Sequence, residues 1–180
     1  MLRSLAFVAG FALPNLALAL DCPSKQDNPD VMDRLHSELL TSQTEMAART
    51  LNDAIWEHWL AAPDEMSQDL LDRGRERIRV ADYERAIEHF TNLIEYCQLY
   101  AEGWNQRAYV YFLRADFSAS LEGIAKVLEI NPRHFGALAG RSSVLVNMRR
   151  TTVGSTALRE ASKINPWLSE RHLLPLDQDI

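Results

Sequence analysis

Between Ala101 and Pro132 the chain reads AEGWNQRAYVYFLRADFSASLEGIAKVLEINP. Its large and small apolar positions recur at three- and four-residue intervals on either side of a break at Arg114-Ala115-Asp116. That spacing predicts two amphipathic helices joined by a tight turn. Sliding the pattern by 34 residues in either direction recovers it. Leu70, Trp104 and Leu138 share one place in the period, and Gly74, Ala108 and Ser142 share another. Tyr83, Phe117 and Thr151 form a third set, Ala86, Ser120 and Gly154 a fourth, and Phe90, Ile124 and Leu158 a fifth. Pro132 and Pro166 close the second and third units, where Gln98 closes the first.

The residue types agree with a helical hairpin. Small residues recur where two helices must approach closely, and large apolar residues fill the space between them. Gly74 in mid-helix costs about 1 kcal/mol of propensity, which close packing can offset. The prolines end each second helix and turn the chain back. A period of this length, repeated three times, predicts an all-α solenoid of stacked hairpins.

The flanks are less regular. Residues 20–29, LDCPSKQDNP, read as an irregular lead-in. Residues 30–66 read as a degenerate hairpin with Asp30 as N-cap and Val31, Leu35, Leu39 and Leu40 on one face. Its second helix starts near Thr44, carries Ala47, Leu51, Ala54, Ile55 and Trp59 as a stripe, and stops at Pro63-Asp64. The spacing of Trp56 and Trp59 favours packing onto the first regular repeat over an exposed recognition patch. Trp167 to Leu174 can form about two turns whose Trp167, Leu173 and Leu174 cover the last hairpin, so 169–180 is expected to be a cap and tail.

These motifs resemble the tetratricopeptide repeat, whose unit sets W, L, G, Y, A, F, A and P at fixed offsets. The fit is best at 101–134, through Trp104, Ala108, Tyr111, Phe117, Ser120 and Pro132. It continues at 67–100 through Gly74, Tyr83, Ala86 and Phe90, and at 135–168 through Ser142, Ala161 and Pro166. The resemblance implies a short right-handed superhelix whose first helices line a concave groove that takes an extended or helical peptide. By repeat offset, the groove-facing residues are Leu71, Arg75 and Arg79, then Asn105, Tyr109 and Phe112, then Ala139, Ser143 and Val146. Arg75 and Arg79 stand one turn apart and can reach one carboxylate. The two-carboxylate clamp of some members is missing, with Leu71, Gly136 and Gly140 where Lys, Lys and Arg are wanted. Gly136, Ala139, Gly140 and Ser143 make the third stretch of the groove small and shallow, open either to a bulky side chain or to close approach of a backbone.

Charge and targeting refine this picture. A net charge of -6 across 180 residues argues against a nucleic-acid partner, which needs a clustered basic face. Met1-Leu2-Arg3, the apolar run Leu5 to Leu13 and Ala17-Leu18-Ala19 read as a signal peptide cleaved after Ala19, over residues 1–19. The expected location is therefore the periplasm, with no membrane span in the mature form. In that oxidising setting Cys22 and Cys97 could form one disulfide, with two free thiols as the alternative.

Catalytic chemistry finds no foothold. His36, His58, His89, His134 and His172 form no HxxxH or HExxH arrangement, and no nucleophile turn is present. His36, His58 and His89 read as surface side chains. No enzyme activity, cofactor or metal is expected. The function implied is a periplasmic scaffold that binds a protein or peptide segment through Arg75, Arg79, Asn105, Tyr109, Phe112 and Ser143. The alternative is a structural subunit of an envelope complex that acts through its convex face or its N-terminal end.

Overall fold

A computed structural model describes residues 22–23 and 29–174. The expected signal peptide, residues 20–21 and 24–28 of the lead-in and the tail from 175 onward lie outside the described residues. Eight α-helices follow in tandem: α1 (Pro29–Thr41), α2 (Glu45–Leu60), α3 (Glu65–Arg79), α4 (Tyr83–Tyr96), α5 (Ala101–Leu113), α6 (Phe117–Ile130), α7 (Phe135–Asn147) and α8 (Thr151–Ile164). A short 3-10 helix, Ser169–Leu173, ends the described chain. The described residues contain no strand.

Turn chemistry repeats with the hairpins. Ala81, Ala115 and Arg149 take φ of 57°, 59° and 62°, each at the same place between paired helices. After each, the chain closes the preceding helix with two bonds: Ala115 N–H to Phe112 O and Asp116 N–H to Tyr111 O, both 2.9 Å. This is the Schellman pattern. Arg149 and Arg150 repeat it at 2.9 and 2.8 Å, donating to Val146 and Leu145. Asp82 and Asp116 then cap α4 and α6 with their carboxylates. The helix α3 starts with a reciprocal cap: Asp64 accepts from Ser67 N–H at 2.8 Å, and Ser67 Oγ accepts from Asp64 N–H at 3.0 Å.

Within each hairpin the small residues let the helices close. A Cβ on Gly74 would stand 2.3 Å from Phe90 Cε1, and one on Gly154 would stand 2.8 Å from Val146 Cγ2. Ser120 Oγ donates to Ala108 O at 2.9 Å, which binds α6 to α5. Between units, Asn131 and Asn165 accept from Arg133 N–H at 3.1 Å and Trp167 N–H at 3.0 Å. Cys97 holds the corresponding place after α4 and is bonded instead to Cys22, with Cα atoms 5.1 Å apart. A covalent link stands where the later turns have an amide cap.

The N-terminal hairpin departs from the expected layout. Trp56 and Trp59 pack onto the start of α7 rather than onto the first regular hairpin. Ile55 and Trp59 share one core with Phe135, Leu138, Ala139, Leu158 and Ala161, while Leu60 and Ala62 reach the core of α3–α4. Asn52 Oδ1 accepts from Asn165 Nδ2 at 3.0 Å, and Trp59 O accepts from Tyr100 Oη at 2.8 Å. Thus α2 crosses the inner side of the array from the first hairpin to the last.

That placement also changes the buried faces. In α2 the buried small residue is Ala48, with Ala47 exposed. In α1 Leu40 is exposed, and His36, expected at the surface, is 2% exposed among Trp59 and Phe135. Trp167 and Leu174 cover the last hairpin as expected, but Leu173 points outward and Leu168 is buried in its place. The reason is the 3-10 geometry of residues 169–173, which changes the side-chain period.

Candidate functional site: the cavity between α2 and the first helices

The inner faces of α3, α5 and α7 meet α2 and the C-terminal segment around a cavity of about 1080 Å³. Arg75, Arg79, Asn105, Tyr109, Phe112 and Ser143 all line it. Leu71 and Val146 do not. Leu71 is fully buried with Phe90 and Val110, because its side of α3 faces the neighbouring helices instead. Val146, at the far end of α7, is exposed outside the cavity.

Arginines and carboxylates are interleaved on the walls. Arg75 lies 3.9 Å from Asp72, Arg79 pairs with Glu76, and Arg49 of α2 lies 3.5 Å from Glu45. Arg171 stacks on Trp167, 5.8 Å from the ring centroid, and donates to the carbonyls of Trp167 and Leu168 at 3.0 Å. Four arginines and four carboxylates share the lining, so the cavity carries no strong charge of one sign. Tyr109 is half exposed and supplies aromatic area at its wall. Ser143 Oγ donates to Ala139 O at 3.2 Å, which turns its hydroxyl hydrogen back onto α7.

Asn105 is held from below. Glu102, 1% exposed, accepts from Asn105 Nδ2 at 3.1 Å and Gln106 Nε2 at 2.6 Å. It also meets His134 Nε2 at 3.0 Å. Because His134 Nδ1 accepts from Ala137 N–H at 3.1 Å, the ring proton sits on Nε2 and points to Glu102. Nothing local singles out Glu102 or His134, which stand 32 residues apart at the starts of α5 and α7. One end of the Asn105 amide is therefore committed to this buried carboxylate, and its oxygen is the group it can offer a ligand.

The third stretch of the groove does take a bulky side chain, and that side chain belongs to α2. A Cβ on Gly136 would stand 2.6 Å from Cη2 of Trp56. Trp56 also meets Trp59, His134 and Phe135 edge-on, with centroids 5.2, 5.6 and 6.1 Å away. Neither a histidine nor a cysteine lines the cavity among the described residues. No group of three or more potential ligating side chains is placed to hold a metal among them. No described helix is long and apolar enough to cross a membrane.

No protein-family model matches the chain. A TPR repeat-containing protein of Rhizobium etli is 29% identical over 116 residues, which cover 64% of this chain. The match spans 57% of that relative's length. Among solved structures, the TPR domain of Arabidopsis OM64 superposes with a TM-score of 0.59 at 16% identity, covering 61% of this chain and 90% of that one. The TPR2B domain of yeast Sti1, solved as a complex with pHsp70, gives 0.57 at 18% identity over 61% of this chain and 91% of that one. The TPR2AB domain of the same protein, in complex with pHSP90, gives 0.57 at 17% identity over 81% of this chain and 60% of that one. The chain has the all-α tetratricopeptide-repeat solenoid fold and is similar in sequence to a TPR repeat-containing protein.

Proposed function

We propose that this protein is a non-enzymatic periplasmic scaffold that binds a peptide or protein segment in the cavity inside its superhelix. The observation that carries the reading is the cavity itself. Six side chains on the first helices of the three hairpins, Arg75, Arg79, Asn105, Tyr109, Phe112 and Ser143, converge on one space of about 1080 Å³. Its walls mix donors, acceptors and aromatic surface without a dominant charge, which suits a peptide main chain better than a phosphate or a nucleic acid. Two of the similar structures are complexes with pHsp70 and pHSP90, which favours a protein ligand by analogy of fold. The Cys22–Cys97 bond favours an oxidising compartment, in keeping with the targeting pattern read in residues 1–19.

Recognition requires no turnover, since a largely preformed surface selects its ligand by shape and hydrogen bonding. The alternative of assembly through the Trp56–Trp59 end loses its support, because both indoles are packed against α7. The test is the double substitution Arg75→Ala and Tyr109→Ala. Capture of partner from periplasmic extract should be lost while helicity and melting stay unchanged. Undiminished capture by that variant would remove the cavity from the account.

A further inference from the structure

We infer that α2 is the second wall of the binding site, and that Arg49 and Asn52 contact the ligand from the side opposite Asn105 and Tyr109. This rests on the cavity being the binding site. Both residues line the cavity across from α3 and α5. Asn52 is positioned rather than loose, because its oxygen holds Asn165 at 3.0 Å. Arg49 sits one turn nearer the start of α2, with a well exposed side chain whose ion-pair partner among the described residues is Glu45 at 3.5 Å. Surface pairs of this kind contribute little and exchange readily for a ligand group.

The same helix decides what can enter. An amphipathic helix in a groove needs an apolar strip for anchors at three- and four-residue spacing. Here the strip beside Gly136 is already filled by Trp56. The space left sets amides, arginines and carboxylates among Tyr109, Phe112, Ile124 and Val144, and those polar groups can satisfy the main-chain N–H and C=O groups of an extended chain. At the cross-section of a packed strand, about 4.8 by 10 Å, the cavity of about 1080 Å³ holds about 22 Å of chain, or about six to seven residues. The ligand assigned is therefore one extended segment of that length, held between two walls.

A random heptapeptide library displayed on phage, panned against the full oxidised chain, supplies the probe. The best binder is synthesised with a fluorophore, and its affinity is measured for the native chain, Arg49→Glu, Asn52→Ala, Tyr109→Ala and the α1 control Arg34→Glu. Circular dichroism establishes that each variant is folded. Weakening of about tenfold or more by Arg49→Glu and Tyr109→Ala, with the control unchanged, is the expected result. If Tyr109→Ala weakens binding while Arg49→Glu and Asn52→Ala do not, the cavity stands and the second wall is overturned. If no library member binds, or Tyr109→Ala has no effect, the cavity reading fails and takes this one with it. A bound peptide that gains helical signal also overturns the extended two-walled assignment.

Discussion

The imidazole of His134 lies flat on the indole of Trp59, with ring centroids 3.9 Å apart and planes 17° from parallel. His134 opens α7 and Trp59 closes α2, so this contact ties the N-terminal hairpin to the third repeat. It also covers the buried hydrogen bond from His134 to Glu102. Losing the indole exposes the buried Glu102–His134 hydrogen bond as well as leaving a cavity. Trp59→Ala is expected to cost about 3–5 kcal/mol, read as a lower urea midpoint. A loss below about 1 kcal/mol in that measurement would show that the hairpin is not docked as described.

Trp56 and Gly136 form a second tie that can be tested as a pair. Gly136→Val places side-chain atoms where the indole stands, since even a Cβ would lie 2.6 Å from it. Overpacking of this kind costs about 1–3 kcal/mol. Combining it with Trp56→Ala should relieve the clash, so the two effects fall short of additivity. Strict additivity in a double-mutant cycle would mean that the two residues do not touch.

Acid should loosen the same region. Burial, with the Arg133 guanidinium nearby, lowers the pKa of His36 from 6.5 to about 4, although Asp33 pulls it upward. The folded pKa is depressed, so this contribution is fully present above pH 6.5 and is lost as the pH falls toward about 4. The full loss is of the order of 3 kcal/mol, at about 1.4 kcal/mol per pKa unit. Asp64, held below its ordinary pKa by the hydroxyls of Ser67 and Tyr96, adds a further loss at still lower pH. Urea midpoints taken from pH 7.5 to 4 should fall in the native chain and flatten in His36→Leu.

The disulfide makes two predictions at once. Denatured, unreduced protein should yield no free thiol, since Cys22 and Cys97 are bonded to each other. Replacing both by serine should cost about 2–4 kcal/mol, because the link closes a loop with a sequence separation of 75. Serine variants with an unchanged urea midpoint would show that the link adds nothing to the fold.

The turn at Ala115 offers a gain. At φ 59° an alanine is strained by about 1–2 kcal/mol, and glycine removes that strain at an entropic cost of about 0.5–1 kcal/mol. Ala115→Gly should therefore hold or raise the melting temperature, and Ala115→Val should lower it.

The three regular hairpins were legible because their information is local. Spacing, small residues and turn chemistry recur at one period, and each constrains only neighbouring helices. Arg75, Tyr109 and Ser143 of the cavity share one place in that period. What stayed hidden was long-range: nothing near Trp56 announces Gly136, and nothing near Asn52 announces Asn165. His36 misled because its charged neighbours Asp33 and Arg34 suggested solvent, while burial came from Trp59 and Phe135 in other helices. The Glu102–His134 pair likewise needs two repeats in place before it exists.

The diagonal course of α2 sets a limit on how this architecture can vary. An ordinary repeat array gains or loses units at little cost, since each touches only its neighbours. Here one helix is anchored to the first hairpin at Leu60 and to the last at Asn52 and Trp56, over eight residues or about 12 Å of its length. Inserting or deleting one repeat would strand one of those anchors. The helix thus acts as a ruler, and the number of repeats it spans is fixed by the separation of its anchors.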